Sequence, residues 1–284
     1  MQPVLCAAVP GNGDRLQAIL HLEPHGDRPD SWVAATPGVG RLFGGQVASQ
    51  TLRAATLTVE PDRAVHSFHA YFIRPGRPGV PLELAVERTR DGRSFTTRHV
   101  TASQDGEPIF TLTSSFCVAE HGDDWQPPGP FDVPDPGSID PGTSFFAQFW
   151  NDSPFDVRPV HPWLGEGTVP VLHPLWVRTR DPLPDEPQLH ATVLAFFSDM
   201  GVVGSARAPE SSLPMRFMGA SLDHAMWFHR EARADDWVLF SVEPTTNAGG
   251  RGLARGTMHT RDGRLVASIM QESLLRDTGR VPLP

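Results

Sequence analysis

The stretch SLDHAMWFHREARADDWVLFSVEPTTNAGGRGLARGTMHTRDGRLVASIMQ, residues 221–271, decides how the rest of the chain is read. It divides into four strand-like runs. Residues 222–229 are rich in aromatics, and 237–243 are apolar and rich in β-formers. A glycine-rich bend leads into 252–259. Asp262-Gly263, a strong tight-turn signal, leads into 265–271. Upstream, LHATVLAFFS at 189–198 reads as a helix stopped by Gly201. Residues 155–161 and 175–179 are further strand candidates, and 202–220 read as an inserted loop.

The first half has the same order. Residues 16–22 (LQAILHL) are expected to form a first strand. A glycine-rich segment, 37–45, leads into 46–57, a run of small and apolar residues without Gly or Pro that predicts a helix of about three turns. Gly38-Val39-Gly40 is no dinucleotide fingerprint, because strand after strand follows it instead of a βαβ unit. The glycines instead let the helix N-terminus sit close to a neighbour, and such a terminus can polarise a carbonyl oxygen or hold a phosphate. Strands are predicted at 65–73, 82–88, 95–103 and 109–118, with Asp91-Gly92 and Asp105-Gly106 at turns. One helix packed on an antiparallel sheet is the α+β solution.

The two halves are a repeat. Arg98 and Asp105-Gly106 recur as Arg255 and Asp262-Gly263, 157 positions on in each case. SFHAYFIRP at 67–75 recurs as DHAMWFHRE at 223–231, 156 positions on, so one residue slips between the two matches. Such a pair argues for a duplicated unit, which can form one pseudo-symmetric body with a site between its halves. Between them, 119–144 holds six prolines among Asp and Gly, which no helix or central strand survives. The expected division is therefore 1–118, an extended linker at 119–144, and 145–284.

Composition narrows the function. Hydrophobic residues make up 39% and charged residues 20% of 284, a globular balance. No apolar run reaches the ~20 residues of a membrane span, and the short apolar patch at 4–9 lacks a basic flank. A cytoplasmic protein is expected. The net charge of −9 argues against nucleic acid as a partner. Every basic residue is Arg, which removes lysine nucleophiles. Two cysteines, Cys6 and Cys117, exclude a disulfide framework. His66 and His69, or His224 and His229, face opposite ways on a strand, so no metal site is expected.

Asp199 is the most informative single residue, because it follows an apolar helix, VLAFF at 193–197. The negative end of the helix dipole and burial both raise a carboxyl's affinity for a proton, which suits a general base. A solvent-exposed helix-end Asp is the plainer alternative. Ser221 reads as a turn residue opening a strand, and Gln271 as the end of one; neither stands out alone. No G-x-S-x-G elbow is present. Asp156 and His161 in DVRPVH partly match an enoyl-CoA hydratase signature but lack its Asn, and are set aside.

GRLFGGQVASQ (40–50), VHSFHAYFIRPG (65–76), RDGRSFTTRHVTASQDGEPIF (90–110), DHAMWFHR (223–230) and DGRLVASIMQESLLR (262–276) together resemble the bacterial type II acyl-CoA thioesterases. The resemblance implies a double hot dog, two tandem units each wrapping an antiparallel sheet round one helix. It implies hydrolysis of fatty acyl-CoA to fatty acid and CoA, with no cofactor. It implies a catalytic group of Asp199, Ser221 and Gln271. The family's Thr is Ser221 here, which keeps the hydroxyl. An acyl channel between helix and sheet is expected to include Phe196 or Met226, with Arg251 and Arg255 on the CoA phosphates. A homo-oligomer is expected from the resemblance alone. The rivals are a non-catalytic acyl-CoA sensor on the same fold, and a hydratase-like enzyme.

Overall fold

The computed structural model describes residues 12–129, 132–140, 153–161, 172–208 and 218–276. The first half runs α1 (Asn12–Leu20), β1 (Leu22–Pro24), β2 (Ser31–Ala34), α2 (Gly44–Thr56), β3 (Arg63–Phe72), β4 (Leu82–Asp91), β5 (Phe95–Gln104) and β6 (Glu107–Val118). The second runs β7 (Phe155–Pro159), β8 (Leu175–Thr179), α3 (Pro187–Phe197), α4 (Val202–Ser205), β9 (Met218–Ser221), β10 (Asp223–Phe228), β11 (Val238–Ala248), β12 (Arg251–Thr260) and β13 (Leu265–Arg276).

One sheet holds all the described strands, in the order β1-β2-β4-β5-β6-β3-β10-β13-β12-β11-β8-β7, with β9 added on β13. Every pairing is antiparallel. Read outward from the β3–β10 seam, the two sides have the same order. α2 and α3 pack against each other under this sheet. α3 is apolar nearly all round, with Val193 to Phe197 buried, as a central helix must be. α2 achieves burial with small residues and with buried polar side chains such as Gln50, which donates to Ile19 O and Ala35 O.

The repeat holds at the level of register. His69 pairs with Thr113 in β3–β6, and Ala225 pairs with Met270 in β10–β13, 156 and 157 positions on. The core-facing residues of β5 (96, 98, 100, 102) recur in β12 at 252, 254, 256 and 258, 156 positions on. Those of β6 (110, 112, 114, 116) recur in β13 at 267, 269, 271 and 273, 157 positions on. The extra residue therefore falls in the turn, at Arg261 just before Asp262-Gly263. This corrects one sequence match. The structural partner of Arg98 is Ala254, not Arg255. A slip of one residue reverses the face of a strand, and Arg98 is buried while Arg255 is exposed.

Residues 16–22 do not form a strand. Leu16, Ile19 and Leu20 are buried at helical spacing, and Gln17 and Ala18 are exposed, so the segment lies mostly in α1. The expected loop at 202–220 contains α4 and β9; residues 209–217 lie outside the described part. The described linker residues dock instead of spanning free solvent. Gln126 bridges Gly263 O and Leu265 N, and Asp135 pairs with Arg261.

Candidate active site

Asp199 lies just past the C-cap of α3, where the chain meets the first turn of α2. Two glycines make that approach possible. A Cβ at Gly44 would come within 2.6 Å of Asp199 Oδ2, and one at Gly45 would strike the carbonyl of Phe196. Asp199 is only 7% exposed. Burial pushes its carboxyl up to about 7, against the opposite pull of the Gly45 N–H, the Gln271 amide and the Ser221 hydroxyl. The carboxylate thus faces the positive end of α2 as well as the C-terminal end of its own helix.

Ser221 is the last residue of β9, and Leu222 separates it from β10. The break repeats one in the first half, where the β3–β6 register shifts between Val65 and Ser67. It brings Ser221 Oγ to 3.4 Å from Asp199 Oδ1. Gln271 is not at a strand end, because β13 runs on to Arg276. Its fully buried side chain donates from Nε2 to Ser221 Oγ at 2.9 Å and to Ser273 Oγ at 3.3 Å. The three residues implied by the family resemblance thus meet in one place.

The sequence reading missed a fourth member, His224, as well as Ser198 behind it. His224 Nδ1 is 2.6 Å from Gln271 Oε1, and its Nε2 is 2.7 Å from Ser198 Oγ. Burial pulls the imidazole down to about 4, so it is neutral near pH 7. A signal existed: His224 shares the core-facing side of β10 with Met226. An inward His needs partners.

A groove of about 490 Å³ opens beside Gly44 and Ser221. Leu42, Phe43, Val47, Phe72, Ile109 and Phe110 supply apolar lining, with Arg41 and Arg74 also at the groove, Arg74 in an ion pair with Glu107. The four expected substrate residues are elsewhere. Phe196 sits one layer back, in ring contact with Phe43 and Phe155. Met226 is fully buried in the core. Arg251 and Arg255 project from the outer face of β12 into ion pairs with Glu272 and Glu243. Asp156 of the set-aside signature, on β7, is held by Arg158 of the same strand and Arg178 of β8. Among the described residues no cluster of His, Cys, Asp or Glu could hold a metal ion. No helix among them is long and apolar enough to cross a membrane.

Two family models match the chain. The acyl-CoA thioesterase model covers residues 147–274, and the acyl-CoA thioesterase N-terminal domain model covers 29–117. Rat acyl-coenzyme A thioesterase 8 is 34% identical over 93% of this chain and 89% of its own length. The crystal structure of the acyl-CoA thioesterase II TesB2 from Mycobacterium marinum is 39% identical, with a TM-score of 0.77 over 93% of this chain and all of that one. A hot-dog-fold protein from Alicyclobacillus acidocaldarius, 18% identical, shares the fold with a TM-score of 0.68 over 93% of this chain and 98% of its own. The fold is a double hot dog, and the site lies in a thioester hydrolase. The chain belongs to the type II acyl-CoA thioesterase family.

Proposed function

We propose that this protein hydrolyses fatty acyl-CoA to free acid and CoA by direct attack of water, with Asp199 as general base. The observation that carries this is the buried Asp199 carboxyl, poised near neutral pH, with Ser221 and Gln271 beside it at an apolar groove. Ser221 Oγ and Asp199 Oδ1, 3.4 Å apart, are close enough for one water beside the pair to hydrogen-bond to both. Asp199 takes a proton from that water as its oxygen bonds to the thioester carbonyl carbon. Ser221 orients it directly, and Gln271 does so through the Ser221 hydroxyl. The tetrahedral intermediate then expels the thiolate, which leaves readily, and the proton on Asp199 passes to sulfur. Both Nε2 hydrogens of Gln271 have serine partners. The oxyanion is therefore assigned to the N–H groups at the head of α2, at Gly44.

The acyl chain takes the apolar groove, and Arg41 and Arg74 replace Arg251 and Arg255 as partners of the CoA phosphates. Division into units at 1–118 and 145–284, cytoplasmic residence and homo-oligomeric assembly extend the same reading. Light scattering measures the assembly. The function is tested by thiol release from short, medium and long acyl-CoAs, wild type beside Asp199→Ala. Release by the wild type and its loss in the variant support the reading. No release from any acyl-CoA by the folded wild type would favour a sensor.

A further inference from the structure

Gln271 poses a problem that the three-residue site does not solve. A primary amide has nearly the same shape when turned by 180°, but its donors and acceptor exchange places. In one setting Nε2 donates to Ser221, whose hydroxyl donates on to Asp199. In the other, Oε1 confronts the carboxylate and no proton is offered. Something on the far side must choose, and there Gln271 Oε1 meets only one ring nitrogen, His224 Nδ1 at 2.6 Å.

We infer that His224 is a positioning residue: a proton on its Nδ1, kept there by Ser198 at Nε2, locks the Gln271 amide in the catalytic setting. This rests on the roles proposed above for Asp199, Ser221 and Gln271. A neutral imidazole has one donor and one acceptor. Ser198 Oγ is 2.7 Å from His224 Nε2 and 2.8 Å from Ala195 O, but its hydroxyl has one proton. If Ser198 donates to His224, every donor runs in one direction, from Ser198 through His224, Gln271 and Ser221 to Asp199. If it donates to Ala195 O, Nε2 holds the imidazole proton, Nδ1 becomes an acceptor, and the amide must turn. The first setting is also the one an ionised Asp199 favours, and His224 holds it.

The internal repeat supplies an independent comparison. Carried 156 or 157 positions back, Ser221, His224 and Gln271 become Val65, Phe68 and Ser114. The residue after the helix C-cap changes from Asp199 to Thr58. The half without the carboxylate has neither the amide nor the imidazole. Among the described residues, no charged neighbour contributes to the shift of Asp199 or of His224. Asp199 is shifted by burial, Gly45 of α2, Gln271 of β13 and Ser221 of β9, and His224 by burial and Gln271.

The test compares wild type with His224→Phe, His224→Asn, Ser198→Ala and Gln271→Ala, reading kcat, KM and the acid limb of the pH–rate profile. Asn puts an amide N–H close to the place of Nδ1–H. His224→Phe is expected to lower kcat by about 10- to 100-fold with KM within about twofold. Its acid limb moves alkaline by about one pH unit, because Asp199 loses the Gln271 donor. His224→Asn is expected to restore kcat to within about threefold of wild type, with the limb unmoved. Ser198→Ala, which removes one hydroxyl and adds no bulk, is expected to shift the limb in the same direction as His224→Phe. That variant and His224→Asn carry the test if His224→Phe fails to fold. Wild-type kcat and limb in both His224→Phe and Ser198→Ala would overturn the inference, as would His224→Asn without rescue. A wild-type rate in Gln271→Ala would overturn the role of Gln271 itself, and the inference with it. Gln271→Ala slow and His224→Phe normal would overturn the inference alone.

Discussion

A buried carboxyl that must ionise to work is destabilising by construction. Asp199 has its folded-state value near 7, raised from 3.8 chiefly by burial. The native state therefore holds this proton more tightly than the unfolded chain does. Below pH 3.8 both states are protonated and nothing is lost. As pH rises from 3.8 to 7 the unfolded chain releases the proton first, so stability falls, then levels off above 7. Asp199→Asn removes that cost. It is expected to raise stability at pH 8 by a few kcal/mol, about the size of such a shift, while removing activity. Urea titrations of both proteins at pH 4 and pH 8 measure this; the gain should be present at pH 8 and vanish at pH 4. Asp199 was legible as a carboxyl after an apolar helix, but Ser221 and Gln271 only as a family pattern, because they have ordinary turn and strand surroundings. Arg251 and Arg255 do not line the groove beside Asp199, and strand phase could have shown that they face out. On β12 the even positions 252 to 258 face the core, so odd positions face out. Phe196 was misplaced for the opposite reason. α3 is apolar on every side, so its pattern does not say which face meets a ligand.

At the scale of elements, the site depends on how closely the head of α2 approaches the tail of α3. The other end of the helix pair is closed by Arg53 and Glu186, 2.6 Å apart. Gly45→Ala drives a methyl into the backbone carbonyl of Phe196, which cannot turn aside as a side chain could. The helices must separate, at a cost of about 1–3 kcal/mol, and Asp199 moves with α3. Thermal melts and thiol-release rates of Gly45→Ala should both fall; an unchanged protein would mean that the close approach is unimportant. Gly44 and Gly45 were legible as a flexible lead-in to a helix, but their packing partner is 150 residues away in sequence and left no local trace. The first helix was misread because LQAILHL is short, and over seven residues the helical and alternating patterns overlap. The strands were the most legible part, since Asp-Gly turns fixed three of the hairpins. β13 was cut short at Gln271 because Gln-Glu looks like a polar end, whereas Gln271 is an inward polar residue within a longer strand.

For the whole molecule, duplication gives two halves of one sheet and, among the described residues, one group of carboxylate, hydroxyl and amide. A second, smaller cavity of about 180 Å³ lies in the matching place beside Val65 and Phe228. It has Val65 where the groove has Ser221, and no carboxylate follows the helix there. One substrate site per chain is therefore expected. Calorimetry of Asp199→Asn with a non-hydrolysable thioether analogue of acyl-CoA should give one equivalent per chain; two equivalents would contradict it. The repeat was visible in the sequence, and its one-residue slip became interpretable once register located the extra residue at Arg261. The proline-rich linker was legible as irregular chain, but not its docking through Gln126 and Asp135, since neither residue carries a recognisable pattern. The most direct measurement is the pH dependence of kcat/KM for thiol release, wild type beside Asp199→Asn. The wild type should rise through an acid limb near pH 7, set by Asp199, and the variant should be slower by about 10²- to 10⁴-fold with that limb gone. An unshifted limb in an active Asp199→Asn would place the base elsewhere.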